Sequence, residues 1–296
     1  MRLNVEAKNV GVKLKDTDVL KDISFTLEHG KTYGLLGRNG AGKTSLLSLL
    51  ASYRDPSSGE LLIGGEDPFE NRMVMPHVGF VYDTDYSDED EKVKGYLEFA
   101  ERYRPFFDRE YAEELARRFK VPLDKAISTL SSGKQSALNS ILGLASRTPV
   151  TILDEVYLAM DAPTRELFYQ EVIEEQARHP RTMILSTHLV SEMEYLFDHV
   201  LLLHDGQLLI DEQYDAFISR GASVIGASTS VDSFVASMGT GVKKLKTQQL
   251  GDTKSVMVYG ELSDETQLEA AKLGLDVGPV SLQELFIHLT GEEDKV

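Results

Sequence analysis

Gly37-Arg38-Asn39-Gly40-Ala41-Gly42-Lys43-Thr44 is the stretch from which the rest of the sequence is read. It follows the apolar run Tyr33–Leu36 and precedes a helical pattern over Ser45–Ala51. Glycines are needed there because several backbone N–H groups must turn inward at phosphate oxygens, closer than a Cβ would allow. Lys43 adds charge at the β- and γ-phosphates, and the Thr44 hydroxyl is a hard oxygen ligand for Mg²⁺. The helix behind the loop aims its positive end at the same anion. The predicted nucleotide contacts therefore run from Gly37 through Ser45. A glycine-rich turn that binds nothing is the competing reading, and the strand-loop-helix setting disfavours it.

Two further stretches supply candidates for hydrolysis. Val150-Thr151-Ile152-Leu153 runs into Asp154-Glu155, so a buried strand ends in adjacent carboxylates. In a parallel sheet such ends gather at the ligand edge. Asp154 is expected to hold Mg²⁺ and Glu155 to polarise the attacking water as general base. By itself a hydrophobic strand ending in acids is as often structural. His188 follows a second buried run, Met183–Thr187, where an imidazole can hydrogen-bond the γ-phosphate and the water.

Composition limits the alternatives. With 48 acidic against 31 basic residues in 296, the formal charge is −17, which argues against a nucleic-acid partner bound through a broad basic face. No cysteine is present, so thiol redox chemistry and thiolate metal sites are excluded. Residues 1–8 alternate like a strand and lack the pattern of a signal peptide. The longest apolar runs are far short of the ~20 residues that span a bilayer. A cytoplasmic location is expected, with any membrane role exercised through a partner.

The first part alternates β-branched runs with helical patterns, which predicts an α/β domain over 1–212 with strands near Leu3–Ala7, Tyr33–Leu36, Val78–Tyr82, Thr151–Leu153 and Met183–Ser186. An all-helical insert is expected over about 88–148. The aromatic residues Tyr96, Phe99, Tyr103, Phe106 and Phe107 are assigned mainly to its core. Val200–Leu203, Asp205-Gly206 and Leu208–Ile210 read as a closing hairpin. The tail, 213–296, reads as a small α+β appendage. It has strands at Ser223–Ala227 and Val256–Tyr259, helices from Asp232 and Asp264, and a last helix over Leu282–Leu289. The acidic run 83–91 reads as a solvated loop, and the remaining histidines lack metal-ligand spacing.

Together these residues resemble the ATP-binding subunits of ABC transporters, a P-loop NTPase family with a mixed-sheet core. Leu130-Ser131-Ser132-Gly133-Lys134 is similar to the family signature Leu-Ser-Gly-Gly-Gln. Leu158-Ala159-Met160-Asp161 is similar to the loop that follows the catalytic Glu, and Thr187-His188 to the switch histidine. The stretch Ser281–Gly291 resembles the closing helix of the ABC-2 export class. The resemblance implies Mg²⁺-dependent ATP hydrolysis, an integral-membrane permease, and head-to-tail pairing with a second ATP-binding subunit, identical or not. In that pairing Ser131, Ser132 and Gly133 contact the γ-phosphate held by the opposite subunit, and Asp161 crosses the interface. It also implies a peripheral position on the cytoplasmic face of the cell membrane.

Four positions depart from the family pattern. Leu14 falls where an aromatic residue stacks on adenine, and such stacking is worth ~1–3 kcal/mol per base. Asp83 replaces a Gln that touches Mg²⁺; it can ligate the metal but adds charge beside Asp154 and Glu155. Ser132 and Lys134 replace the signature Gly and Gln, with Lys134 expected to compensate by its charge. Slow but retained hydrolysis is expected. The alternatives are a weakly hydrolytic or non-catalytic partner in a heterodimeric complex, or a soluble ABC-type ATPase.

Overall fold

The computed structural model describes residues 3–239, 241–262 and 264–291. It divides into two units: Met1–His188 with Tyr195–Asp211, and Leu189–Glu194 with Glu212–Val296.

The first unit runs β1 (Val5–Leu14), β2 (Thr17–Leu27), β3 (Thr32–Leu36), α1 (Lys43–Leu50), β4 (Ser58–Ile63), β5 (Val78–Tyr82), α2 (Val93–Tyr103), α3 (Arg109–Arg118), α4 (Ser132–Ala145), β6 (Val150–Asp154), α5 (Ala162–Arg178) and β7 (Thr182–Thr187). After α6 (Val190–Met193), which belongs to the second unit, it resumes as β8 (His199–His204) and most of β9 (Gln207–Gln213). β1 continues well past Ala7. Its period-2 pattern is broken there because Asn9, at φ 53°, accommodates a register shift between Ala7 and Val10 before pairing with β2 resumes at Ile23.

Strands β2, β1 and β4 form an antiparallel sheet, and a six-stranded sheet has the order β5-β6-β7-β3-β8-β9. β5 through β8 pair in parallel, and β3, β6 and β7 are buried at every residue. Strands covered on both faces read as unbroken apolar runs, which is why these were legible in the sequence. Leu20, Ile23 and Phe25 of β2, Leu46, Leu47 and Leu50 of α1, and Ile152, Ile184 and Leu201 share one core. Asp205 and Gly206, at φ 47° and 76°, make the turn between β8 and β9.

Charged groups are also built into this unit. Glu171 and Glu175 of α5 are fully buried. Arg118 and the Tyr111 hydroxyl meet Glu171, while Arg181 Nη1 and Arg147 Nε reach Glu175 Oε1 at 3.0 and 2.8 Å. Buried carboxylates are tolerated only with such partners, and these tie α3 and the start of β7 to α5. The aromatic residues of α2 depart from expectation: Phe99 and Tyr103 are 59% and 65% exposed and pair with each other at 4.5 Å, so they are not core. A helical period shows that side chains share a face, but not whether anything covers it.

In the second unit, α7 (Tyr214–Ser219) precedes β10 (Gly221–Ala227), α8 (Ser228–Ser237), β11 (Lys243–Leu250), β12 (Thr253–Tyr259), α9 (Asp264–Lys272), β13 (Asp276–Pro279) and α10 (Leu282–Leu289). The βαββαβ succession and the antiparallel order β11-β12-β10-β13 are those of a split βαβ, ferredoxin-like fold. Val224, Val256 and Val258 of the sheet pack on Val231 and Phe234 of α8 and Ala270 of α9. The helix expected from Asp232 starts at Ser228, whose hydroxyl donates to Asp252 O at 3.1 Å. β11 was not expected; Lys-Lys-Leu-Lys-Thr-Gln-Gln-Leu is a mostly exposed edge strand without alternation. Among the described residues no helix is long and apolar enough to cross a membrane.

Candidate active site

Parallel register delivers the candidate residues to one edge. Leu36 of β3 lies beside Thr187 of β7, and Asp154 of β6 beside Ser186. Gly37, Glu155 and His188, which follow directly, therefore leave the sheet side by side.

The loop between β3 and α1 is shaped by its glycines. A Cβ on Gly37 would lie 2.7 Å from Leu203 O and 3.1 Å from Ala41 Cβ. Gly42, at φ 107°, would place one 2.8 Å from Leu20 Cδ2. Gly42 also caps α1 with no side-chain acceptor, leaving the first N–H groups of the helix without a side-chain cap. They bound a cleft of ≈ 720 Å³ whose lining includes Arg38, Asn39, Gly40, Lys43, Thr44, Ser45, Asp83, Asp154 and Glu155.

Within this cleft the polar groups are already connected. Lys43 Nζ donates to Gly37 O at 2.7 Å and Arg38 O at 3.4 Å, and lies 3.8 Å from Glu155 Oε1. Burial holds its amine below the ordinary lysine range, against the opposing pull of Glu155 and Asp154. Thr44 Oγ1 donates to Asp154 Oδ2 at 3.0 Å, which sets the two magnesium candidates together. His188 Nδ1 is 2.8 Å from Glu155 Oε1; a carboxylate only accepts, so Nδ1–H donates. Glu155 has a left-handed backbone at φ 53°, sparsely populated for a residue with a Cβ.

These residues fit a triphosphate with Mg²⁺. The cradle excludes side chains, a buried amine lies at its centre, and a hydroxyl and a carboxylate offer hard oxygens. Asp83 lines the same cleft, yet no group of three His, Cys, Asp or Glu side chains among the described residues has metal-holding geometry. Mg²⁺ commonly takes one or two carboxylates and completes its shell with phosphate and water.

The remaining candidates lie elsewhere. Ser131 is the N-cap of α4, exposed and with its hydroxyl making no cap bond; Ser132 is exposed. Gly133 packs against the segment before Asp161, where a Cβ would lie 3.0 Å from Ala159 O. Asp161 caps α5, accepting from Thr164 N at 3.0 Å, which holds its carboxyl below the usual range. None of these four lines the cleft of Lys43. The Lys134 ammonium donates to Phe119 O at 2.5 Å, at the end of α3, and its charge still acts on Asp161. Leu14 is 43% exposed and also outside the cleft lining.

Val19, Ser48, Tyr53, Phe80 and Tyr82 line the cleft and escaped the sequence reading. Tyr53, Phe80 and Tyr82 form an aromatic group, with ring centroids 5.1 to 6.4 Å apart. Phe80 and Tyr82 share one face of β5 by period 2; nothing local marks Tyr53.

The family model described as ABC transporter matches residues 20–157. ABC transporter ATP-binding protein YtrB of Bacillus subtilis (strain 168) is 29% identical over 72% of this chain and 75% of its own. Nod factor export ATP-binding protein I of Burkholderia lata is 28% identical over 98% of this chain and 97% of its own. Among solved structures, an ATP-binding subunit of an ABC transporter superposes with TM-score 0.66 at 22% identity, covering 72% of this chain and 91% of that one. A bacterial Atm1-family ABC exporter with ATP bound gives 0.64 at 22%, covering 74% and 40%.

Proposed function

Because the chain belongs to the ABC transporter ATP-binding family, we propose that it hydrolyses Mg²⁺-ATP in the Lys43 cleft and so powers export through an integral-membrane permease. The observation that carries this reading is the gathering of Lys43, Thr44, Asp154 and Glu155 in one cleft at the end of the parallel sheet, with His188 bonded to Glu155. Lys43 and the uncapped N–H groups of α1 bind phosphate, whose negative charge favours the ammonium form that burial disfavours. Thr44 and Asp154 hold Mg²⁺, which when bound offsets charge on the transferring phosphoryl group. Glu155 takes the proton of the attacking water, and His188 orients Glu155 through Nδ1–H.

Ser131, Ser132, Gly133 and Asp161 are not among the residues lining that cleft, which fits service to the nucleotide of a second ATP-binding subunit paired head to tail. The permease is taken up on the cytoplasmic face of the membrane. A recess of ≈ 240 Å³ lined by Tyr53, Met75, Pro76, Tyr103 and Arg104, beside the exposed Phe99 and Tyr103, suits a short helix of that partner. Export is favoured by the alignment of the Nod factor export relative along the whole chain, tail included. Ser132, Asp83 and Leu14 make slow turnover the expectation.

Steady-state ATPase of the purified chain, alone and with its permease, tests the reading. Glu155→Gln should abolish turnover and trap an ATP-dependent dimer on a sizing column. Undiminished turnover in that variant, or a wild-type chain inert even with the permease, would sink it.

A further inference from the structure

Tyr157 lies two residues beyond Glu155, and its ring is 1% exposed. It stacks on Phe168 of α5 at 6.0 Å and 17°, and meets Tyr169 edge-on at 6.0 Å. A phenylalanine would satisfy those contacts equally well. The hydroxyl is what differs, and it is buried against Thr187 Oγ1, immediately before His188.

The loops leaving β6 and β7 are thus joined three times over a few residues. Glu155 N donates to Ser186 O at 3.4 Å, His188 Nδ1 meets Glu155 Oε1 at 2.8 Å, and the Tyr157 hydroxyl meets Thr187. The first contact is long, and His188 is 36% exposed at its side chain, so neither holds the loops firmly. The third is fully buried at both ends, where a polar group keeps its partner because no water replaces it. Turns close the segment from Glu155 to Met160, through Leu158 N to Glu155 O at 3.3 Å and Met160 N to Tyr157 O at 3.0 Å. Fixing Tyr157 therefore also fixes the peptide that carries Glu155 in its left-handed conformation.

We infer that Tyr157 is a positioning residue for hydrolysis, acting through Thr187 to hold His188 against Glu155. This rests on the reading of Glu155 and His188 as the hydrolytic pair. The ring anchors one end of the link in the packing of α5, and the hydroxyl fixes the other on the strand that delivers the histidine. Phosphate binding uses Lys43 and α1, and Tyr157 does not line their cleft, so its loss acts on turnover and not on ATP affinity.

The test is a double-mutant cycle on the full-length chain, reading kcat and KM for ATP separately, with melting temperature as a control. Tyr157→Phe and Thr187→Val should each lower kcat by about tenfold or more while KM stays within about twofold, since small misplacement of reacting groups costs rate steeply. The double variant should fall no further than the worse single one, and Thr187→Ser should restore most of the rate. A Tyr157→Phe enzyme with wild-type kcat, alongside inactive Glu155→Gln and His188→Ala enzymes, would overturn the inference and leave the hydrolytic reading standing. Wild-type turnover in those last two variants would overturn both. Additive losses in the double variant would refute the route through Thr187.

Discussion

Three helix N-termini in the first unit lack side-chain caps; at α2 the backbone takes their place, Val93 N and Lys94 N donating to Lys125 O and Leu123 O, while the other two, those of α1 and α4, differ in their surroundings. At α1 the cap is Gly42, Lys43 is buried behind it, Thr44 is bonded to Asp154, and His188 is bonded to Glu155. At α4 the cap is an exposed Ser131 whose hydroxyl makes no cap bond, and the nearby Lys134 is committed to Phe119. The neighbouring helices α3 and α5 are capped by Asp108 and Asp161. One uncapped terminus thus carries its own chemistry, whereas the other offers donors outward with nothing of its own to act upon. The contrast fits the proposal that two chains make one catalytic unit.

The largest expected effect removes the support common to both faces. Glu175 on α5 pairs with Arg181, just before β7; Asp161 caps the start of α5 and His188 follows the end of β7. Glu175→Ala should cost about 3–5 kcal/mol by stranding the buried Arg181 guanidinium, read as a lowered denaturation midpoint. A loss under about 1 kcal/mol would mean that Arg147 and Arg181 do not depend on it.

Next, Lys43→Ala should lower turnover by about 10²–10³-fold and weaken ATP binding by the isolated chain, measured with a fluorescent nucleotide. Ser131→Ala should reduce turnover by about tenfold with no change in ATP binding by the isolated chain or in melting temperature. Equal loss of binding in both variants would break the comparison, because α4 would then serve its own cleft.

The smallest effect comes from α10, whose N-terminus is fully capped. Ser281 Oγ accepts from Glu284 N at 3.2 Å, and Glu284 Oε2 accepts from Ser281 N at 3.0 Å. Ser281→Ala should cost about 0.5–2 kcal/mol, the stability loss that Ser131→Ala escapes. Those bonds also hold the Glu284 carboxyl below its ordinary 4.5. A carboxylate depressed by folding contributes stability that is complete above its unfolded value and lost as pH falls through the folded one. Acid titration of the wild type should therefore weaken the second unit below about pH 4.5, and Ser281→Ala should blunt that dependence.

Much of the first unit was legible. Unbroken apolar runs announced β3, β6 and β7, and the residues at their ends named the cleft. Less of the rest was, because local pattern carries no information about what covers a face. Phe99 and Tyr103 have core-like spacing and lie in solvent; Asn9 hides the continuation of β1 behind a register shift; β11 is a strand because β12 pairs with it. Tyr53 reaches the cleft only through tertiary packing. Lys134 shows the same limit for charge: its type is readable, and the carbonyl that accepts its hydrogen bond is not.

The chain enters the second unit, returns, and enters it again. Immediately after His188, Leu189–Glu194 belong with the C-terminal residues, where α6 packs on α10, before Tyr195–Asp211 rejoin the first unit. The second unit is therefore not a module that recombination could add or remove at one junction. Ending the gene after Asp211 would leave Val190 and Met193, now 1% and 0% exposed, without the helix they pack beside. Aggregation of a chain cut after Asp211 is the outcome expected from that threading.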